Sequence, residues 1–138
     1  MNAREFFDTL EARVDPAKTA GMNHSYLFDI VVANADGSNP HRVTRNELYE
    51  MGPAWSPDGK WLAFYAGNDG RHDVYLMHPD GSDRRRLTSG GGELPSWSPD
   101  GRYVVYAWAS LVVVRPDGTE VARLATGVSE PNFASWSR

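Results

Sequence analysis

Four glutamates stand out by position: Glu47 and Glu50 in "RNELYEMG", Glu93 in "GGGELP" and Glu130 in "GVSEPN". Each lies in a connection between apolar runs. Connections carry function more often than the scaffold they join, and carboxylates gathered on one face attract a cation or a basic peptide. Tyr49, Asp69, His72, Trp108 and Asn132 lie in or beside comparable connections and complete the candidate binding set. Ordinary loop polarity is the plainer reading of the same residues. Catalytic chemistry finds less support. Ser56 and Ser98 sit in turns without the G-x-S-x-G setting of a nucleophile elbow. "SGGGE" (89–93) lacks the G-K-[ST] of a phosphate loop and reads as a flexible connection. His24, His41, His72 and His78 show no helical metal-ligand spacing, and "GNDGRHD" (67–73) lacks the order of a calcium loop. There is no cysteine. No catalytic, cofactor-binding or metal-ligating residue is therefore assigned, and no cofactor is expected.

The elements that must position these residues come from a repeat. "PAWSPDGKW" (53–61) returns as "PSWSPDGRY" (95–103), and Trp55, Trp97 and Trp136 are separated by 42 and 39 residues. A second turn recurs as "NADG", "HPDG" and "RPDG", ending at Gly37, Gly81 and Gly118. Each is followed by a third marker: "HRVTR", "RRRLTSG" and "VARLATG". Three markers in constant order at about 40 residues match one four-stranded propeller blade. Ser56-Pro57-Asp58-Gly59 and Ser98-Pro99-Asp100-Gly101 suit tight turns between antiparallel strands. Proline presets φ, the polar side chains bond nearby N–H groups, and glycine leaves with positive φ. Along 60–66, Trp61, Ala63 and Tyr65 alternate with Leu62, Phe64 and Ala66, so both faces are apolar. A half-exposed sheet alternates apolar with polar; this strand is expected to be covered on both sides.

The expected class is all-β: a partial propeller of about three four-stranded blades with roughly eleven strands. With strand A innermost, strands C (about 27–34) and D (41–45) open the repeats. Full blades follow at about 52–88 and 94–125, and a last strand A at 133–136. Residues 1–20 form a separate segment, an amphipathic helix over 2–14 plus linker, with Phe6, Phe7, Leu10 and Val14 on one stripe. Propeller repeats occupy 21–138.

Composition narrows the partners. The net charge is −4, which gives no basis for nucleic-acid binding, and Arg84-Arg85-Arg86 reads as a solvated or edge-protecting charge run. No 18-residue apolar stretch suggests a membrane span. The opening residues lack an apolar signal core, which points to the cytoplasm as the chain is written.

Residues 53–109 resemble the PD40 (WD40-like) repeat of TolB-type β-propellers, with the W-S-P-D-G turn, two apolar strands ending in D-G, and R-x-L-T. Residues 28–45 and 110–138 match in part. The resemblance implies a propeller, six-bladed in TolB itself, that works through protein–protein contact, with relatives in the periplasm. A shorter resemblance, "FFDTLEARVDPAKTAGMNHSYLFDI" (6–30), is to the opening of sterol-carrier-protein-2-like domains. It implies an alternative reading as a carrier of small lipophilic ligands. A second alternative is a metal-dependent hydrolase or lyase using the acidic connections.

Propellers need about four to eight blades, and repeats that cannot bury their own faces must stack on something. The expected remedy is self-association: a homodimer closing a six-bladed ring, with a split blade made from 27–45 of one chain and 133–136 of the other. The leading reading is a non-enzymatic assembly and protein-interaction module, engineered or fragmentary, open to a protein or peptide partner.

Overall fold

The computed structural model of the chain describes residues 29–45, 48–124 and 136. Ten strands lie among them, all paired antiparallel with their sequence neighbours. β1 (Val31–Val32) and β2 (His41–Arg42) form a two-stranded half-blade. β3 (Tyr49–Trp55), β4 (Leu62–Asn68), β5 (Arg71–Met77) and β6 (Arg85–Arg86) form a complete blade in that order. β7 (Glu93–Trp97), β8 (Val104–Ala107), β9 (Leu111–Val114) and β10 (Glu120–Leu124) form the next. Both are four-stranded antiparallel sheets with the strands in chain order, the arrangement of a propeller blade. The amphipathic helix at 2–14 and all of the last strand A except Trp136 fall outside the described residues.

The repeated letters fold into repeated geometry. In the first A–B turn, Ser56 Oγ donates to Asp58 Oδ1 (2.6 Å) and accepts from the Trp61 N–H (2.9 Å). Gly59 N donates to the Ser56 carbonyl (2.9 Å), with φ at 71°. The second turn reproduces it, with Ser98 Oγ to Asp100 Oδ1 at 2.6 Å and Tyr103 N to Ser98 Oγ at 3.0 Å. The C–D turns form another matched set: Asp36, Asp80 and Asp117 each accept from the N–H two residues on, at 2.8–2.9 Å.

Alternation within strands decides which blade each side chain meets. Ala63, Val74, Leu76 and Leu87 of the first complete blade pack with Trp97, Val104, Tyr106, Val112 and Val114 of the second, and Trp61 and Tyr65 lean on this cluster. The opposite set, Leu62, Phe64, Ala66 and Met77, packs with Ile30, Val32 and Val43 of the half-blade. The first complete blade is thus covered on both faces, as its doubly apolar strands require. Phe64 is fully buried; truncating such a residue to alanine costs about 3–5 kcal/mol.

Both innermost strands carry a bulge near their start, between Met51 and Ala54 and between Glu93 and Ser96. The left-handed position is Gly52 (φ 59°) in one blade and Leu94 (φ 53°) in the other. A branched side chain there costs on the order of 1–3 kcal/mol, held by its surroundings.

Arg84 and Arg85 are not solvated, contrary to the expectation of a solvated or edge-protecting run, while Arg86 stays exposed on the edge strand β6. Arg84 pairs with buried Glu50 at 2.8 Å and lies over the rings of Phe64 and Tyr75. Arg85 lies over Trp61 and donates to the Pro116 carbonyl of the next blade (2.9 Å). Arg86 approaches Asp73 at 3.6 Å. Their long stems cross apolar surface to reach acceptors that local sequence does not show.

Candidate functional site

The B–C turns and D–A connections lie at one end of the blades, where the candidate residues were expected to gather. The structure brings three of them together at the junction of the two complete blades. His72, near the start of β5, meets Glu93, at the start of β7, with Nδ1 2.7 Å from Oε1. The Tyr65 ring stands edge-on to the His72 ring, with centroids 5.5 Å apart. Partial burial pushes the Tyr65 phenol above its ordinary range, and the Glu93 charge adds to the shift. Trp108, in the β8–β9 turn, is 38% exposed and covers Gly91 beside this pair.

The connection carrying Glu93 is pinned, which corrects its reading as a flexible segment. Gly91 N donates to Asp73 Oδ1 (3.0 Å) and Gly92 N to the His72 carbonyl (2.9 Å). A Cβ on Gly91 would run into the Trp108 indole, and one on Gly92 would come within 3.0 Å of Tyr106 and Val74. Gly91 also has φ at 105°. The glycines are there because aromatic rings of one blade lie against a backbone tied to the other.

Asp73 and Thr88 lock the same junction and were missed from sequence. Thr88 Oγ1 donates to Asp73 Oδ1 (2.8 Å) and accepts from the buried Val74 N–H (3.0 Å). The hydroxyl takes over from a backbone carbonyl where the β5–β6 ladder stops. Thr44 does the same for the Ile30 N–H at 2.8 Å, and Asp29 pairs with Arg42 at 2.9 Å. Asp29 with Thr44 and Asp73 with Thr88 share one spacing of 15 residues, a signal present in the letters. At the third repeat Ser110 stands in the aspartate's place and receives Arg123 Nη1 at 3.3 Å.

The remaining candidates divide. Asp69 is exposed in the β4–β5 turn with φ at 54°. Tyr49 is half-buried at the start of β3, opposite Gly67. Glu50 was expected on the rim; it is instead 3% exposed and held by Arg84, so it presents no charge to a ligand. Glu47, Glu130 and Asn132 lie outside the described residues. Among the motif residues, Ser56 and Ser98 are buried with both proton and lone pair engaged. Pro57 and Pro99 are exposed at the turn tips. Asp100 is held well below the usual carboxylate range, at about 2, first by the Ser98 hydroxyl and then by the N–H and guanidinium of Arg102. Among the described residues no three His, Asp or Glu side chains lie close enough to share a metal ion.

The junction offers an aromatic surface, an imidazole and two carboxylates, Glu93 and Asp73. That chemistry suits recognition. The TolB beta propeller domain family (PD40) matches residues 19–137. The chain is 37% identical to the Tol-Pal system protein TolB of Thioalkalivibrio sulfidiphilus over 86 residues, 62% of this chain and 19% of that protein. It is 44% identical to the TolB of Desulfosudis oleivorans over 50 residues, 36% of this chain and 11% of that protein. The chain thus spans a fifth or less of these curated relatives. Among solved structures it is similar to a TolB from Agrobacterium tumefaciens, with TM-score 0.63 and 28% identity, covering 70% of this chain and 40% of that one.

Proposed function

Taking as premise that the chain belongs to the TolB β-propeller (PD40) family, we propose that it is a non-enzymatic protein-interaction module. In this reading it engages a protein or peptide partner through the end of the blades where His72, Glu93 and Trp108 meet. The observation that carries the reading is the inter-blade pair of His72 and Glu93 beside a 38% exposed tryptophan. Exposed aromatics anchored by a rigid scaffold are favoured anchors of protein contacts. The relatives are named as Tol-Pal system proteins, which is consistent with work done by contact. Because the chain spans a fifth or less of those relatives, its first residue says nothing of a leader, and the cytoplasmic expectation is withdrawn.

The acidic-mouth idea narrows accordingly. With Glu50 turned inward, Glu93, at 36% side-chain exposure, and the exposed Asp69 are the described candidate carboxylates left to meet a basic group. Self-association into a closed ring is part of the same proposal, supported by the exposed apolar side chains Trp55 and Leu124 on the described blades. The test is calorimetry at low salt with a short lysine-rich peptide. The wild type is expected to bind, Glu93→Gln to weaken binding several-fold and Trp108→Ala to weaken it more. Unchanged binding in both variants would refute this use of the face.

A further inference from the structure

Each chain contains the blade-to-blade interface more than once, and the repeats supply the key to its unfilled half. Val43, Leu87 and Leu124 hold the same place in successive D strands, at steps of 44 and 37 residues. The turn glycines Gly37, Gly81 and Gly118 follow the same steps. Inside the chain, each later turn glycine abuts the D strand of the blade before it. A Cβ at Gly81 would lie 2.5 Å from the Val43 carbonyl oxygen, and one at Gly118 would lie 3.3 Å from that of Leu87. Two members of the series are left over. Gly37 has nothing within 4 Å of where its Cβ would stand. Leu124 is 52% exposed, whereas Leu87 is 8% exposed.

We propose that Leu124 of one copy docks against the Gly37 turn of a second copy, head to tail, so that the last complete blade of each chain is capped by the half-blade of the other. This rests on the self-association reading above. The occupant is a second copy because the exposed Leu124 and the open Gly37 turn are the two halves of an interface already formed between successive blades. Trp55 points the same way: it is 50% exposed, while its counterpart Trp97, one blade later, is 8% exposed against the preceding blade. A second chain placed by the same rule would contribute to covering it. Such a joint is heterologous, and two of them close on themselves.

The test exploits this polarity. Leu124→Arg puts a charge into the joint from the tail side. Gly37→Asn blocks it from the head side; asparagine is the side chain that best tolerates positive φ, and its Cβ would have nothing within 4 Å in the free chain. Both sites are open, so circular dichroism should stay near wild type, with at most a small drop in melting temperature for Gly37→Asn from its positive φ; Leu124→Ser is the milder tail variant. Sedimentation velocity should find the wild type paired and each variant dissociated, with the dissociation constant raised at least about 100-fold, roughly 2.7 kcal/mol. An equimolar mixture of Leu124→Arg and Gly37→Asn should pair again through the one intact joint. A paired wild type unaffected by either variant overturns this joint and leaves self-association standing. Loss of pairing with no recovery in the mixture overturns its head-to-tail polarity. A monomeric wild type overturns both.

Discussion

Thr88→Val replaces a hydroxyl by a methyl of nearly the same size and so tests the junction chemically. The threonine Oγ1 is 3.0 Å from the N–H of Val74, a residue with no exposure. Leaving a buried N–H without an acceptor costs about 1–3 kcal/mol. The same hydroxyl donates to Asp73 at 2.8 Å. A bond to a charged group is worth about 1.5–3 kcal/mol, here at the low end because the carboxylate retains Gly91 N and is 21% exposed. The expected loss is about 2–4 kcal/mol, or a melting point lower by roughly 10 °C for a chain of this size. Urea denaturation of wild type, Thr88→Val and Thr88→Ser measures it. Serine keeps the hydroxyl and gives up one methyl, about 1 kcal/mol. If valine is no worse than serine, the hydroxyl does not hold the junction and the reasoning fails.

Other expectations follow from single features. Gly67→Ala places a Cβ inside the van der Waals shell of the Arg71 carbonyl across the β4–β5 turn. Backbone cannot swing aside, so a loss of about 3 kcal/mol or more is expected in denaturant melts. Asp100 has its pKa lowered from 3.8 to about 2 in the folded chain. Its contribution is therefore present above about pH 4 and fades as pH falls through about 2, by linkage. Asp100→Asn should flatten that part of the acid limb in a stability–pH series, and an unchanged limb would count against the turn's role. Glu93→Gln removes a charge that raises the Tyr65 phenol, so its ultraviolet titration should move to lower pH.

Much of the scaffold could be read from the letters because its signals are local. The two S-P-D-G turns, the x-D-G turns and the two-faced strand 60–66 each declare themselves within a few residues, and the blades follow from their order. The candidate site was less legible because its bonds join residues far apart in the sequence, some within a blade and some between blades. Glu50 looked like rim polarity, and only the path of Arg84 across Phe64 and Tyr75 shows it buried. "SGGGE" looked flexible because its restraints, Asp73, His72 and Trp108, lie far along the chain or in the next blade. The Asp73–Thr88 lock was the exception: its 15-residue spacing recurs at Asp29 and Thr44, and comparing whole repeats instead of turns alone would have exposed it.

The central claim is that these blades complete themselves on a second chain and present the His72–Glu93 junction on the resulting assembly. The most direct measurement is the solution mass of the wild-type chain, by light scattering after size exclusion across a range of concentrations. The account predicts a species of about twice 15.3 kDa. A folded monomer persisting to the highest concentration would contradict it.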